Sequence, residues 1–291
     1  MKKHLFFAFM MLVSASMFFA SCSKDDDKSA PTLSFKTGTG YTSANATVNY
    51  NDTVKIGILA TSNGSDNIAK FVLKADDQVI MDSALNVMQF SLDFNIVKGA
   101  SASETWKFTV TDAAGKVTES SIVLSRPSTE ITTYNAIKLG AQDNTTDPSF
   151  FTTTDGTRYF QADAFNNQAK IDMFCFYENT TSHQNFTTLG APGSNITGIF
   201  SGNTAPDNYT VKNLTYFVKT TLTAAQFDAI TNDEGILQSF DPSNQFKKAK
   251  NLQAGDVWAF KTQAGKFGLL KVTSVVPETN GSLEMAVKVQ K

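Results

Sequence analysis

Between residues 53 and 123 the chain repeatedly alternates apolar and polar residues with a period of two. Val54, Ile56 and Ile58 interleave with Thr53, Lys55 and Gly57. Phe90, Leu92, Phe94 and Ile96 interleave with Ser91, Asp93 and Asn95, and Trp106, Phe108 and Val110 with Lys107, Thr109 and Thr111. Successive side chains of a strand point to opposite faces, so this spacing describes strands with one face in a core and one in water. A helix would need the apolar residues three and four apart. Turn residues punctuate the pattern: Asp76-Asp77 follows Phe71 and Leu73, and Asp112-Ala113-Ala114-Gly115 separates two strands.

About seven such strands fall between residues 32 and 126, and short strands at that density define an immunoglobulin-like β-sandwich. No Cys…Trp…Cys set is present, which excludes the disulfide-centred antibody type. The strand, Asp-Ala-Ala-Gly turn and strand that begin at Trp106 resemble the closing hairpin of bacterial extracellular immunoglobulin-like modules. Residues 125–129 read as a linker. Residues 130–291 then read as a larger β-rich domain with one or two short helices.

One of those helices has a clear start. Thr223-Ala-Ala-Gln226 is a capping box, and Leu222 before it can staple onto Phe227, so the sequence predicts a helix near 224–230. A second turn is expected through Ile236 and Leu237. The last forty residues predict a three-strand antiparallel meander: 256–262, a turn at Ala264-Gly265, 267–276, a turn at 277–281, then alternating Leu283, Met285, Val287 and Val289. Residues 179–215, rich in Asn, Thr and Gly with scattered Phe and Tyr, read as long loops with short strands, the usual place for a binding surface.

The first residues carry an address. Lys2 and Lys3 precede an apolar run from Leu5 to Ala20, then Ala20-Ser21-Cys22. A basic start, a short apolar stretch and small residues before a cysteine are a lipoprotein-type export leader, here residues 1–21. Cys22 is the expected lipid-attachment residue, and residues 22–31, with Asp25-Asp26-Asp27, the expected acidic tether. No later apolar run reaches the roughly 20 residues a spanning helix needs. Cys-Ser-Lys-Asp-Asp-Asp resembles the export tag of surface lipoproteins in gut-type anaerobic Gram-negative bacteria. That resemblance implies an outer-membrane lipoprotein facing the cell exterior.

Composition then removes most chemistries. Loss of Lys2 and Lys3 with the leader takes the formal net charge from −2 to −4, with no basic footprint for nucleic acid. The densest basic cluster, Lys247, Lys248 and Lys250, reads as a solvated face. His183 is the one histidine after the leader, and its setting, Thr181 to Asn185, reads as a loop. Multi-histidine zinc sites are therefore excluded, and neither a nucleophile elbow nor a phosphate-cradling glycine loop is present. No catalytic residue, metal site or cofactor is expected. Cys175, inside Met173-Phe174-Cys175-Phe176-Tyr177, reads as a small buried hydrophobe. Asp172, Asp228, Asp233 and Glu234 read as caps, turns or surface charges before catalytic pairs. Asp143, Asp147 and Asp155 lack calcium-loop spacing.

Aromatic rings beside Asn and Gln remain as binding chemistry. Tyr209 and Tyr216, in a polar stretch, are the expected exposed rings. Trp258 is a further ligand-binding candidate, although its place between Val257 and Phe260 favours a core role. The whole plan of lipid, tag, spacer and distal domain resembles accessory lipoproteins of glycan-utilisation systems, including the starch-binding kind. It implies a non-enzymatic surface protein whose C-terminal domain binds a glycan or another extracellular ligand. Two alternatives stay open. One is a fimbrial or surface-assembly subunit that exchanges the strand 282–290 with a surface-protein partner. The other is a glycoside hydrolase using two carboxylates.

Overall fold

A computed structural model describes residues 29–64, 66–180 and 183–291. The leader and Cys22 lie outside the described residues.

Among the described residues the first domain has eight strands. They are β1 (Thr32–Phe35), β2 (Ala46–Thr47), β3 (Thr53–Thr61), β4 (Ile68–Ala75), β5 (Gln78–Val87), β6 (Gln89–Val97), β7 (Ser103–Asp112) and β8 (Val117–Ser125). They form two sheets, ordered β1-β3-β6 and β2-β8-β7-β4-β5. Ile56, Ile58 and Ile96 of one sheet meet Phe71, Leu73, Phe108, Val110, Ile122 and Leu124 of the other in a single core. Phe108 sits between Phe35 and Phe94, with ring centroids 5.4 and 5.8 Å away. This is the immunoglobulin-like sandwich. β5 is invisible in the sequence pattern because it is an edge strand with no fully buried face; Val79, Ile80 and Met81 are all exposed.

The second domain contains β9 (Ile131–Gly140), β10 (Phe150–Phe151), β11 (Arg158–Tyr159), α1 (Gln161–Asn166), β12 (Met173–Thr180), β13 (His183–Gly190) and β14 (Tyr216–Lys219). It continues through α2 (Ala224–Ala229), α3 (Asp233–Gln238), β15 (Lys248–Ala249), β16 (Val257–Lys261), β17 (Phe267–Val276) and β18 (Ser282–Gln290). Two five-stranded antiparallel sheets, β11-β10-β12-β13-β15 and β14-β16-β17-β18-β9, face each other. Met173, Cys175, Leu189, Phe217, Phe260, Leu270, Met285 and Val287 fill the space between them.

Both outer faces are also covered. Helices α2 and α3 lay Phe227, Ile236 and Leu237 on Val218, Ala259 and Leu269 of one sheet. Residues 191–209 and α1 lay Ile196, Phe200, Tyr209 and Ala164 on Phe150, Phe174 and Phe176 of the other. A sheet covered on both sides has no polar face, which is why 173–177 is continuously apolar. Gly268 allows this packing: a Cβ there would lie 2.1 Å from the Phe260 ring.

The capping box forms as the sequence requires. Gln226 N–H donates to Thr223 Oγ1, and Thr223 N–H donates to Gln226 Oε1. Lys288 closes the other end of α2: its ammonium, buried on β18, donates to the carbonyls of Phe227, Asp228 and Ile230. These are acceptors that a helix C-terminus leaves open. Burial lowers the Lys288 pKa below its ordinary value.

Three expectations are corrected here. The long stretch 191–209 is a packing layer rather than an exposed binding loop, because its apolar residues cap a sheet face. His183 begins β13, whose residue pairs with Thr180 in a hairpin, rather than lying in a loop. The final strand has no free edge to exchange: β18 pairs with β17 on one side and β9 on the other.

The interdomain segment is also more than a linker. The Arg126 guanidinium is buried and donates to both oxygens of Asp233, at 2.9 and 3.1 Å. Arg126 also donates to the carbonyls of Ala100 and Pro127, and Gln290 Nε2 donates to Asp233 at 3.1 Å. Ala102 N–H donates to Glu234 at 3.4 Å. A hydrogen-bonded fork of this kind fixes direction as well as distance, so it holds one domain against the other.

Candidate functional site

The outer face of the β14-β16-β17-β18-β9 sheet is longer than its two helices. Where α3 ends, the first domain takes over the cover: Tyr50 and Ala100 pack on the same face. Between the two covers lies a cavity of about 360 Å³, lined by residues of both domains.

Sheet register builds its floor. Tyr216 of β14 pairs with Lys261 of β16, and Lys261 pairs with Phe267 of β17. Directly paired residues share a face, so the three side chains form one row. The Phe267 ring is then fixed edge-on by Tyr50 at 5.6 Å and Phe240 at 5.2 Å. Lys261 places its ammonium 5.1 Å from the Phe267 centroid and has no carboxylate partner among the described residues.

The first domain delivers its wall through a left-handed residue. Asn51 has φ 68°, a value Asn tolerates better than most side chains. Its N–H bonds the Lys98 carbonyl, tying the 49–52 turn to the end of β6. Burial raises the Tyr50 pKa above its ordinary value, despite the nearby Asn51 side chain and Arg126. The rim carries the exposed amides of Asn51, Gln245 and Gln263. Thr262 contributes a buried hydroxyl with no hydrogen-bond partner among the described residues.

The three aromatic candidates separate. Tyr216 is half-buried and lines this cavity. Tyr209 is 4% exposed and packs on Phe150 and Phe165, so the expectation of an exposed ring is corrected. Burial raises its pKa. The polar residues around Tyr209 suggested a loop at the surface, but the loop folds its rings inward onto β10 and β12. Trp258 is 5% exposed; it faces the inter-sheet core at the edge of the domain, and its indole N–H has no partner among the described residues.

The acidic candidates are engaged by protein partners. Asp172 accepts from the Thr153 N–H and hydroxyl, both at 2.7 Å, yet burial raises its pKa. Asp228 pairs with Lys271, and Asp233 with Arg126. Burial pushes Asp233 upward, but Arg126, a backbone N–H and Gln290 together hold it below the ordinary carboxylate value. Asp233 is thus a buried ion-pair partner rather than a surface charge. Asp143, Asp147 and Asp155 do not converge; no group of three potential metal ligands occurs among the described residues. Cys175 is buried, and burial raises its thiol pKa.

Sequence reasoning missed Tyr50, Asn51, Phe267 and Gln263. Each lies beside a recognisable turn or strand end, but no local signal says that positions 50 and 267 meet.

The fold and cavity define a two-domain, all-antiparallel protein apart from the parallel β2–β8 pair, with a polar-rimmed aromatic cavity at the domain junction. No protein-family model matches the sequence, and no curated protein matches it. Among solved structures it is similar to the fibronectin(III)-like modules of Clostridium thermocellum CbhA, at 18% identity and a TM-score of 0.23. That match covers 33% of this chain and 46% of the other, so the chain spans less than half of that structure.

Proposed function

We propose that the chain is a lipid-anchored cell-surface protein, held through Cys22, that binds a glycan in the cavity at the domain junction. One observation carries the reading. The rings of Tyr50, Tyr216 and Phe267 and the amides of Asn51, Gln245 and Gln263 line one cavity of about 360 Å³. Pockets of roughly 300–1,000 Å³ with apolar walls and a few polar groups are the usual shape of a small-ligand site. Sugar rings have an apolar face for aromatic contact and hydroxyls that amides can pair with. The leader and acidic tag support the surface address, and the Arg126–Asp233 fork supports a cavity whose two walls keep their spacing.

The test is a glycan array, followed by titration of the strongest neutral hit. Tyr216→Ala and Gln263→Ala should each weaken binding at least tenfold. A blank array across plant, host and microbial glycans removes the glycan reading. Mass spectrometry of the native protein checks the anchor: an unmodified Cys22 removes it.

A further inference from the structure

A second pocket lies at the opposite, inter-sheet face of the same domain. The two sheets end there in edge strands, β14 and β15, and beside the segment that joins these edges lies a concavity of about 390 Å³ lined by Phe246, Trp258, Lys247, Lys248 and Lys250. Phe246 is 60% exposed, yet its backbone is fixed: Phe246 and Phe217 exchange N–H to carbonyl bonds of 2.8 and 2.7 Å. Phe246 is the most exposed large apolar side chain among the described residues.

The charge around this ring is unbalanced. Lys248 and Lys250 share one carboxylate, Glu178, at 3.3 and 3.4 Å. Lys247 is exposed and has no ion pair among the described residues. A fourth cation, Lys219, stands 5.8 Å from the Trp258 centroid and is neutralised by Asp256 at 3.0 Å. No acidic residue lines the pocket: its walls are almost wholly apolar, formed by the rings and the lysine stems, and the one carboxylate at Lys248 and Lys250 leaves the lysine cluster around it with an excess of positive charge.

We infer that this pocket is a second binding site, selective for an acidic saccharide, a sugar bearing a carboxylate or sulfate. The sugar face rests on Phe246 at the Trp258 wall, and the anionic group meets Lys247 with Lys248 and Lys250 beside it. The inference rests on the reading of the protein as a glycan binder and extends it to a charged class that the amide-rimmed junction cavity does not select.

The chain has two tryptophans, so a Trp106→Phe background leaves Trp258 as the single indole reporter beside the pocket. Oligogalacturonate and a sulfated oligosaccharide are titrated while Trp258 emission is followed, with maltoheptaose, xylohexaose and cellohexaose as neutral probes and poly-glutamate as an acidic peptide. The expected result is an emission change with an acidic sugar, weakened at least tenfold by Phe246→Ala and by Lys247→Glu, and weakened further by salt. Both substituted side chains are exposed, so the fold survives; unchanged far-UV circular dichroism checks this. Three results overturn the inference: no acidic sugar moves the emission; Lys247→Glu weakens binding but Phe246→Ala does not; or poly-glutamate competes as well as the sugar. Acidic-sugar binding that survives Tyr216→Ala, with no neutral glycan bound anywhere, removes the junction site and leaves this one standing.

Discussion

In the first domain Phe108 and Val110 face the core while Lys107 and Thr109 reach the surface. In the second, Met173 and Phe174 are neighbours in sequence and both are fully buried, on opposite faces of β12. The first domain is two sheets with water outside. The second is two sheets with a further layer on each outer face. Half-covered sheets write an alternating pattern into the sequence; doubly covered ones erase it. The difference bears on the junction cavity, which lies where the cover of α2 and α3 gives way to the first domain.

Breaking the outer layer should separate the domains most sharply. Phe174→Ala removes a buried ring from beneath residues 191–209 and should cost about 3–5 kcal/mol. The outward-facing Ser91→Ala of the first domain should stay within about 0.5 kcal/mol. Urea unfolding of both variants measures the contrast, and comparable losses would erase it.

The junction comes next. Asp233→Ala leaves the Arg126 guanidinium buried and unpaired, at a cost of about 3–5 kcal/mol, and should split one calorimetric transition into two. The pair also has a pH signature. Asp233 is held below its unfolded value near 3.9, so its stabilisation is complete above that pH and is lost as pH falls through the lower folded value. The stability gap between wild type and Asp233→Asn should therefore be flat near neutrality and close below about pH 4. A gap that widens on acidification would contradict this sign.

Helix attachment should give smaller effects. Lys288→Met removes the ammonium donor from three carbonyls at the end of α2, of which that of Phe227 keeps the Ile230 N–H, and should cost about 1–3 kcal/mol. Thr223→Ala removes the cap at the other end for about 1 kcal/mol. Hydrogen exchange of α2 amides reads both, and faster exchange confined to residues 224–230 is the expected outcome.

Local chemistry was legible wherever a few neighbouring residues decide the outcome. Thr223 and Gln226 announce α2, Asp76-Asp77 announces the β4–β5 turn, and the alternation of Leu283 to Val289 announces β18. Helix α1 was not announced: Phe160 precedes it with no side-chain cap, so no start signal exists. Of the candidate ligand residues, Tyr216 lines a cavity and Trp258 a different pocket, while Tyr209 is packed away. Nothing in a polar neighbourhood says which way a ring will turn.

The amino-acid sequence by itself determined the β class, the sandwich near the start, the capped helix, the closing meander and the absence of a histidine cluster. Each depends on spacing or on a count, and both survive in one dimension. Tertiary structure alone decided that Arg126 meets Asp233, that Tyr50 closes on Phe267, and that Phe246 is left in water beside three lysines. Arg126 and Asp233 lie 107 positions apart and Tyr50 and Phe267 come from different domains; the lysines are sequence neighbours of Phe246, but only the sheet edge leaves its ring in water. The energy of such contacts comes from desolvation and register, which exist only once the sheets have met.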